Sequence, residues 1–327
     1  MMNTKIARVG ALLLLNLFAA ATYAAGLAPI SQVFVFGDSI SDTGNLFNLS
    51  GGGKPVSPPY FNGRETNGLI WSETMSNDLG VVLTNYAVGG AQTGTGNVNS
   101  DDFPGVADTG LQNQVAQFGS DLGGGAADPG ALYAVFAGSN NFCLTCFTPG
   151  VDDPVEFINT GVTEILTAIG TLQATGAQKF LVFGLPDLGL TPRAAGIPIP
   201  GLQEQLSMLT DGWNQALFGN LPSLGLGDNL VTLDSAQILR DVVADPAAFG
   251  LFNVTDACLA VGCNTQTKDP LLDPDGFLFW DDIHPTRATH AILSDAAYHA
   301  VLIPVPPAVL LFGSALGLLT WVRRRAA

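Results

Sequence analysis

A serine that directly follows a predicted buried strand is the first residue in this chain that could perform chemistry. Residues 33–36 are β-branched or aromatic, and Gly37, Asp38 and Ser39 follow at once, which indicates a strand that ends in a turn. The carboxyl ends of the strands in α/β sheets are where such folds bind their ligands. Ser39 is therefore a candidate nucleophile, provided that the chain also supplies a base, an orienting acid and oxyanion donors.

Histidine is the usual base for a serine nucleophile, and the chain contains three histidines. His290 and His299 lie in a predicted helix, where a partly buried or surface histidine is the ordinary interpretation. His284 lies in the loop before that helix, and Asp281 stands three residues earlier. This spacing lets Asp281 accept the imidazole Nδ1–H and fix the tautomer that activates Ser39. An Asp-x-x-His pair is a weak signal alone but a strong one in combination with Ser39.

Donors for an oxyanion are predicted after the second and third strands. Gly90 follows the second strand, and Asn140 follows the third, so both lie at the same edge of the sheet as Ser39. The backbone N–H of Gly90 and the side-chain amide of Asn140 are suitable donors. Both segments could equally be tight turns without a chemical role.

The elements that must position these residues alternate between strand and helix patterns. Such alternation predicts a parallel sheet covered by helices on both faces, and no break in composition divides residues 26–303 into two domains. Long polar loops, which in compact domains are usually functional or disordered, are expected at residues 51–66, 89–108 and 253–275. The predicted strands are residues 33–36, 81–86, 131–137, 179–183 and 230–233.

Composition excludes some classes of protein. The 327 residues are 47% hydrophobic, which is enough for a sizeable core, and the formal net charge is −16. Nucleic-acid binding requires clustered Lys and Arg to neutralise phosphates, so a nucleic-acid partner is not expected.

The four cysteines form two close pairs, Cys143 with Cys146 and Cys258 with Cys263. In an exported protein two local disulfides are favoured. A zinc site built from all four thiolates is the alternative.

Both ends of the chain are predicted to lie outside the folded domain. Residues 1–25 have a basic start, an apolar stretch too short to span a bilayer, and small residues before a plausible cleavage point, which together predict a secretory signal peptide. Residues 304–327 contain a proline motif, an apolar run and three arginines near the end.

This C-terminal segment resembles the PEP-CTERM-type sorting signals of Gram-negative bacteria. The resemblance implies a transient membrane anchor and processing by an exosortase-type enzyme, in addition to signal peptidase. The protein would then be anchored at the inner membrane facing the periplasm, and would reach the cell surface or the medium after processing.

Four blocks in this sequence resemble the GDSL esterase/lipase (SGNH hydrolase) family. They occur in the family's order and span residues 34 to about 293. The third block carries Asn141 where family members usually have Asp, and the first carries Ile40 where the name-giving motif has Leu. The blocks are residues 37–45, the segment around Gly90, residues 138–140 and residues 281–286.

The resemblance implies a fold, a site and an activity. The fold is a flavodoxin-like three-layer α/β/α sandwich with a five-stranded parallel sheet. Ser39 is the nucleophile, His284 the base and Asp281 its partner. The oxyanion hole comprises the N–H groups of Ser39 and Gly90 and the side chain of Asn140. We therefore expect an exported serine esterase or lipase that forms an acyl-enzyme and needs neither a metal nor a cofactor.

Two other functions are compatible with the sequence. The form of residues 279–286 resembles the subgroup that holds phospholipases, lipid acyltransferases and haemolysins, and loop aromatics could line a trough for a lipid. A non-catalytic surface or matrix-associated binding protein is the alternative of another class. It is disfavoured because every catalytic element has a candidate, and the acidic loop at residues 269–276 does not match an EF-hand. The aromatic candidates for the trough, which could equally be ordinary loop anchors, are Phe47, Tyr60, Phe61 and Phe252.

Overall fold

A five-stranded sheet lies at the centre of the body formed by Leu27–Leu302. The structure is a computed structural model that describes residues 26–27, 29–142, 153–263 and 270–302. The predicted signal peptide and the C-terminal sorting segment lie outside the described residues. Within the described part of the chain, no helix combines the length and the apolar character needed to cross a membrane.

All strands of the central sheet are parallel, and their order is β2-β1-β3-β4-β5. This order is the flavodoxin-like doubly wound arrangement, so the predicted fold class is confirmed. The observed bounds fall within one residue of the predicted ones. The strands are β1 (Gln32–Gly37), β2 (Val82–Asn85), β3 (Leu132–Phe136), β4 (Lys179–Phe183) and β5 (Leu230–Leu233).

Helices cover both faces of the sheet. One face packs against α3, α4 and α6, and the opposite face packs against α2 and α8. The helices are α1 (Asn45–Leu49), α2 (Trp71–Leu79), α3 (Leu111–Asp121), α4 (Pro154–Thr175), α5 (Pro192–Gly196), α6 (Leu202–Asn220), α7 (Ser235–Ala244) and α8 (Arg287–Leu302).

The alternation of side chains along each strand explains why the sheet needs helices on both faces. In β1, Phe34 and Phe36 point to the core with α3, whereas Val33 and Val35 point to the core with α2 and α8. Successive strand side chains face opposite sides, and all four are apolar. A sheet of such strands must be covered on both faces to bury them.

A second, two-stranded sheet and the helix α7 were not predicted from the sequence. The strands β6 (Asn253–Ala257) and β7 (Phe277–Phe279) pair in parallel, and α7 packs over them through Leu239 and Val242. These elements are short, and two of the five residues of β6 are exposed, so their periodicity is too weak to identify them.

The second sheet is held next to a disulfide. Cys258 follows β6 and is joined to Cys263, in agreement with the predicted local pairing, whereas Cys143 and Cys146 lie outside the described residues. Two cysteines that are bonded to each other cannot supply thiolates to zinc, which argues against the predicted four-thiolate alternative. The backbone N–H groups of Cys258 and Leu259 donate to the carbonyls of Phe279 and Trp280, so this segment supports the start of the His284 loop.

Candidate active site

Ser39 stands in the turn that follows β1, where the sequence placed it. Gly37 ends the strand with φ 151°, and a Cβ atom on it would lie 2.0 Å from the carbonyl oxygen of Phe136 in β3. Only glycine allows this approach. The buried side chain of Gln114 accepts from the N–H of Gly37 and donates to its carbonyl, both at 2.8 Å. The backbone that carries Ser39 is therefore fixed on two sides.

Asp42 connects the Ser39 turn to the Gly90 turn. Its carboxylate accepts the backbone N–H groups of Gly44, Asn45 and Leu46, and also that of Gly89, at distances of 2.5–2.9 Å. These contacts hold the backbone of the loop that follows Ser39. Since the same carboxylate binds both turns, it also fixes the distance between the candidate nucleophile and a candidate oxyanion donor.

Ser39, His284 and Asp281 form one hydrogen-bonded series. His284 Nε2 lies 2.9 Å from Ser39 Oγ, and His284 Nδ1 lies 2.7 Å from Asp281 Oδ2. The backbone N–H groups of Ile283 and His284 donate to Asp281 Oδ1 at 2.9 and 2.7 Å. The three residues that the sequence proposed are thus brought together across 245 positions of chain, in the geometry expected of a nucleophile, its base and an orienting acid.

The second sheet holds the His284 loop in place. The N–H of Trp280 donates to the carbonyl of His284 at 2.8 Å, and Phe279 in β7 pairs with Pro285. Thr286 closes the loop, because its hydroxyl donates to the carbonyl of Phe277 at 2.6 Å. The loop therefore turns back onto β7 and leaves His284 facing Ser39.

The charges around His284 favour its protonated form. Burial of the imidazole by itself lowers the pKa, but Asp281 and Glu65 outweigh that effect and raise the pKa of His284 to about 9. Burial by itself raises the pKa of Asp281, whereas the adjacent imidazole and its hydrogen bonds hold it well below its usual range. The pair is therefore arranged to stabilise the imidazolium that forms when His284 takes a proton.

The predicted oxyanion donors line the same cavity as Ser39. Gly90 has φ 83°, and a Cβ atom there would lie 2.1 Å from Asn99 Nδ2, so its N–H stands in a turn that requires glycine. Asn140 Nδ2 donates to the carbonyl of Ala91 at 3.1 Å. An amide nitrogen has two N–H groups, so this bond fixes the side chain and leaves a second donor.

Asn141, the departure from the family pattern, supports the neighbouring loop. Its Oδ1 accepts the N–H of Thr93 at 3.0 Å, and its Nδ2 donates to the Thr93 hydroxyl at 2.5 Å. That hydroxyl donates in turn to Glu164. An aspartate could accept from the backbone N–H but could not donate to the hydroxyl. Because Asn141 donates to the Thr93 hydroxyl, that hydroxyl can use its own proton for the hydrogen bond to Glu164.

The other two histidines take no part in the hydrogen-bonded series. His290 is more buried than the sequence suggested, with an exposed fraction of 1%, and its Nδ1 accepts the N–H of Trp71 at 3.3 Å. Burial, and then the nearby charge of His284, lower the pKa of His290 to about 3. His299 is exposed and pairs with Asp295 at 3.3 Å.

A cavity of about 250 Å³ opens beside Ser39, and it has an apolar and a polar side. Of the four aromatic residues that could line a lipid trough or act as loop anchors, Tyr60 is part of the lining, whereas Phe47, Phe61 and Phe252 are not. The apolar wall comes instead largely from α7, β7 and α8. Its side chains are Ile40, Leu188, Ile238, Leu239, Val242, Phe279, Ile283, Ile292 and Leu293.

Sequence reasoning did not foresee the contacts that two polar residues make in the site. Tyr60 donates its hydroxyl to Asp281 Oδ2 at 2.7 Å, so it supports the acid as well as lining the cavity. Glu65 is 8% exposed, and its Oε2 lies 3.8 Å from His284 Nε2. Both come from the long loop at residues 51–66. The length of that loop was the available signal, but nothing in it indicated which residues face the site.

The described residues contain no cluster of His, Cys, Asp or Glu that could hold a metal ion.

Comparison with known proteins agrees with this site. The family model for GDSL-like lipase/acylhydrolase matches residues 33–297. The chain is 26% identical to a phosphatidylcholine-sterol acyltransferase of Aeromonas hydrophila, over 87% of this chain and 94% of that protein. It is 27% identical to a GDSL esterase/lipase of Arabidopsis thaliana, over 82% of this chain and 88% of that protein.

Other relatives are longer than the matched region. The chain is 26% identical to the thermolabile hemolysin of Vibrio parahaemolyticus over 81% of its own residues, but it spans only 62% of the hemolysin. The family match itself covers most of the chain and includes Ser39, Gly90, Asn140, Asp281 and His284. The chain therefore belongs to the GDSL-like lipase/acylhydrolase family and is an ester-hydrolysing enzyme.

Proposed function

We propose that this protein is a serine esterase that hydrolyses carboxylic esters with an apolar acyl chain, through an acyl-enzyme on Ser39. The observation that carries the proposal is the hydrogen-bonded series from Ser39 through His284 to Asp281, which opens on a cavity with one apolar side. A nucleophile, a base and an orienting acid in this geometry perform acyl transfer.

Acylation follows from the positions of these atoms. Ser39 Oγ attacks the ester carbonyl while its proton moves to His284 Nε2. The negative charge that develops on the carbonyl oxygen is received by the N–H groups of Ser39 and Gly90 and by the Asn140 amide. When the intermediate collapses, the imidazolium gives its proton to the departing alcohol, and the acyl group stays on Ser39. Water then releases the acid by the same steps in reverse.

The two sides of the cavity fit the two parts of an ester. The apolar wall from α7 and α8 suits an acyl chain, because transfer of methylene groups from water to such a wall is favourable. On the polar side, Lys54 Nζ donates to Asn99 Oδ1 at 2.7 Å, and both residues line the cavity. This side suits an alcohol that carries further polar groups.

Covalent labelling tests the proposed nucleophile. A p-nitrophenyl alkylphosphonate is expected to inactivate the enzyme and to add one phosphonyl group, measured by intact mass and mapped to Ser39 by peptide mass spectrometry. The Ser39→Ala variant should gain no mass, whereas Ser120→Ala, an exposed serine of α3, should label like the wild type. Labelling of the Ser39→Ala variant at the wild-type rate would exclude Ser39 as the nucleophile.

A lipid substrate is the second candidate function. The observations that favour it are the apolar wall and the Aeromonas hydrophila relative, whose name describes acyl transfer from phosphatidylcholine to a sterol. With the same enzyme preparation, release of fatty acid from phosphatidylcholine vesicles faster than p-nitrophenol from p-nitrophenyl octanoate would favour this candidate. Turnover of the octanoate alone would favour the simple esterase.

We also propose that the protein is exported and that residues 304–327 are a temporary sorting segment. Support comes from the sequence patterns at both ends and from the Cys258–Cys263 disulfide, since disulfides persist in oxidising compartments. Protein recovered from the native bacterium is expected to have the intact mass of a chain without residues 1–25 and without the C-terminal segment. A mature species that keeps the full C-terminal segment would contradict the sorting role.

A further inference from the structure

Glu65 is a buried carboxylate that faces the reacting atoms, and the described part of the chain gives it no hydrogen-bond partner. Its exposed fraction is 8%, and it lines the cavity beside Ser39 and His284. Among the described residues, no group forms a hydrogen bond with its side chain, and His284 Nε2 lies 3.8 Å from its Oε2. A buried carboxylate without a donor is unfavourable, so this side chain requires a donor from the cavity.

The position of Glu65 defines where that donor lies. A carboxylate and a ring nitrogen 3.8 Å apart are too far for a direct hydrogen bond, but one small molecule between them reaches both, because each bond spans about 2.8 Å. The carboxylate also lies against the Cα of Gly89, since a Cβ atom there would be 2.5 Å from Oε2. The site between Glu65 and His284 is therefore next to the Gly90 turn, where the acyl carbonyl would bind.

We propose that Glu65 positions the water that hydrolyses the acyl-enzyme, and that it thereby favours water over a monohydric alcohol as the acyl acceptor. This inference rests on the proposed acyl-enzyme at Ser39. Water has two O–H groups and can donate one to His284 Nε2 and the other to Glu65 Oε2. A monohydric alcohol has one O–H, so when it donates to His284 the Glu65 carboxylate is left without a donor.

The step balances without any further reactant. The water oxygen bonds to the acyl carbon, and one of its protons moves to His284 Nε2. The tetrahedral intermediate then breaks its bond to Ser39 Oγ, which recovers that proton from the imidazolium, and the carboxylic acid leaves. Glu65 accepts a hydrogen bond from the remaining O–H throughout and exchanges no proton. It is a positioning residue for the water.

The partition of the acyl group between water and an alcohol tests this role. With p-nitrophenyl octanoate and 1-propanol, the ratio of propyl octanoate to octanoic acid is measured by gas chromatography for the wild type, Glu65→Leu and Glu65→Gln. We expect Glu65→Leu to raise the ratio by about tenfold, the effect of one hydrogen bond to a charged group. Glu65→Gln keeps an acceptor oxygen and should raise the ratio less. Glu204→Gln, at an exposed carboxylate of α6, is the matched control and should leave it unchanged.

The ratio separates positioning from a purely electrostatic or structural effect. If Glu65 acts only on the charge of His284, its loss changes the rates of hydrolysis and alcoholysis together, and the ratio stays constant. A partly unfolded variant likewise loses both products in proportion. An unchanged ratio in both Glu65 variants, with phosphonate labelling of Ser39 intact, would overturn this inference and leave the proposed function standing. Absence of labelling at Ser39 would instead overturn the proposed function.

Discussion

Replacement of Ser39 by alanine is expected to lower kcat for an activated ester by roughly 10⁶-fold, and His284→Ala by a similar factor. The two side chains act as one unit, since His284 Nε2 lies 2.9 Å from Ser39 Oγ and each is ineffective without the other. The double variant is therefore expected to be no slower than either single variant. The oxyanion donors and the cavity remain in all three proteins, so turnover should stay above the uncatalysed rate.

The measurement is the initial rate of p-nitrophenol release by the purified single and double variants. His299→Ala is the matched control, because His299 is exposed on α8 and its imidazole pairs with Asp295; it should keep the wild-type rate. Multiplicative losses in the double variant would show that Ser39 and His284 act independently, contrary to the proposed mechanism.

Asp281→Asn is expected to lower kcat/KM by about 10⁴-fold through the tautomer of His284. The N–H groups of Ile283 and His284 donate to Asp281 Oδ1, so the amide oxygen of the variant occupies that position. The amide nitrogen then faces His284 Nδ1, where Oδ2 accepts in the wild type. A donor at this position favours the tautomer with the proton on Nε2, which cannot accept the proton of Ser39.

The pH profile gives the same substitution a second readout. A protonated imidazole cannot act as a base, so wild-type kcat/KM should rise about tenfold per pH unit until His284 loses its proton near pH 9. Burial opposes this raised pKa, whereas Asp281 and Glu65 cause it. Removal of the Asp281 charge leaves burial in place, so the inflection of the residual activity should move to lower pH.

Asp295→Asn is the control for both readouts, because Asp295 is an exposed carboxylate on α8. It should change neither the rate nor the inflection. An Asp281→Asn variant whose inflection stays at the wild-type pH would show that Asp281 does not set the charge state of His284.

Most of the central fold could be predicted because the three inner strands of its sheet are largely buried on both faces. The apolar runs of β1, β3 and β4 are typical of buried strands. The apolar stripe of the α4 helix ends before Gly176, which adopts φ 111°. The polar and partly exposed β6 and the short helix α7 lack such a pattern. Their positions depend on packing against each other through Leu239 and Val242 of α7 and Val254 of β6, which a local pattern cannot encode.

The sequence by itself determined which residue types could react and in what order they occur. Ser39, Asp281 and His284 stand in short motifs whose residue types and spacing indicate a nucleophile, an orienting acid and a base. Gly90 and Asn140 follow strands that end at one edge of the sheet. These inferences need only the local chain and the rule that parallel strands share an edge.

Only the tertiary structure decided what surrounds the reacting atoms. Tyr60 and Glu65 come from a loop without periodicity, yet they meet Asp281 and His284 more than 200 positions later. Whether a loop side chain faces the site depends on how that loop packs against distant elements. For this reason the sequence did not indicate that Tyr60 supports Asp281 or that the Glu65 carboxylate lies beside His284.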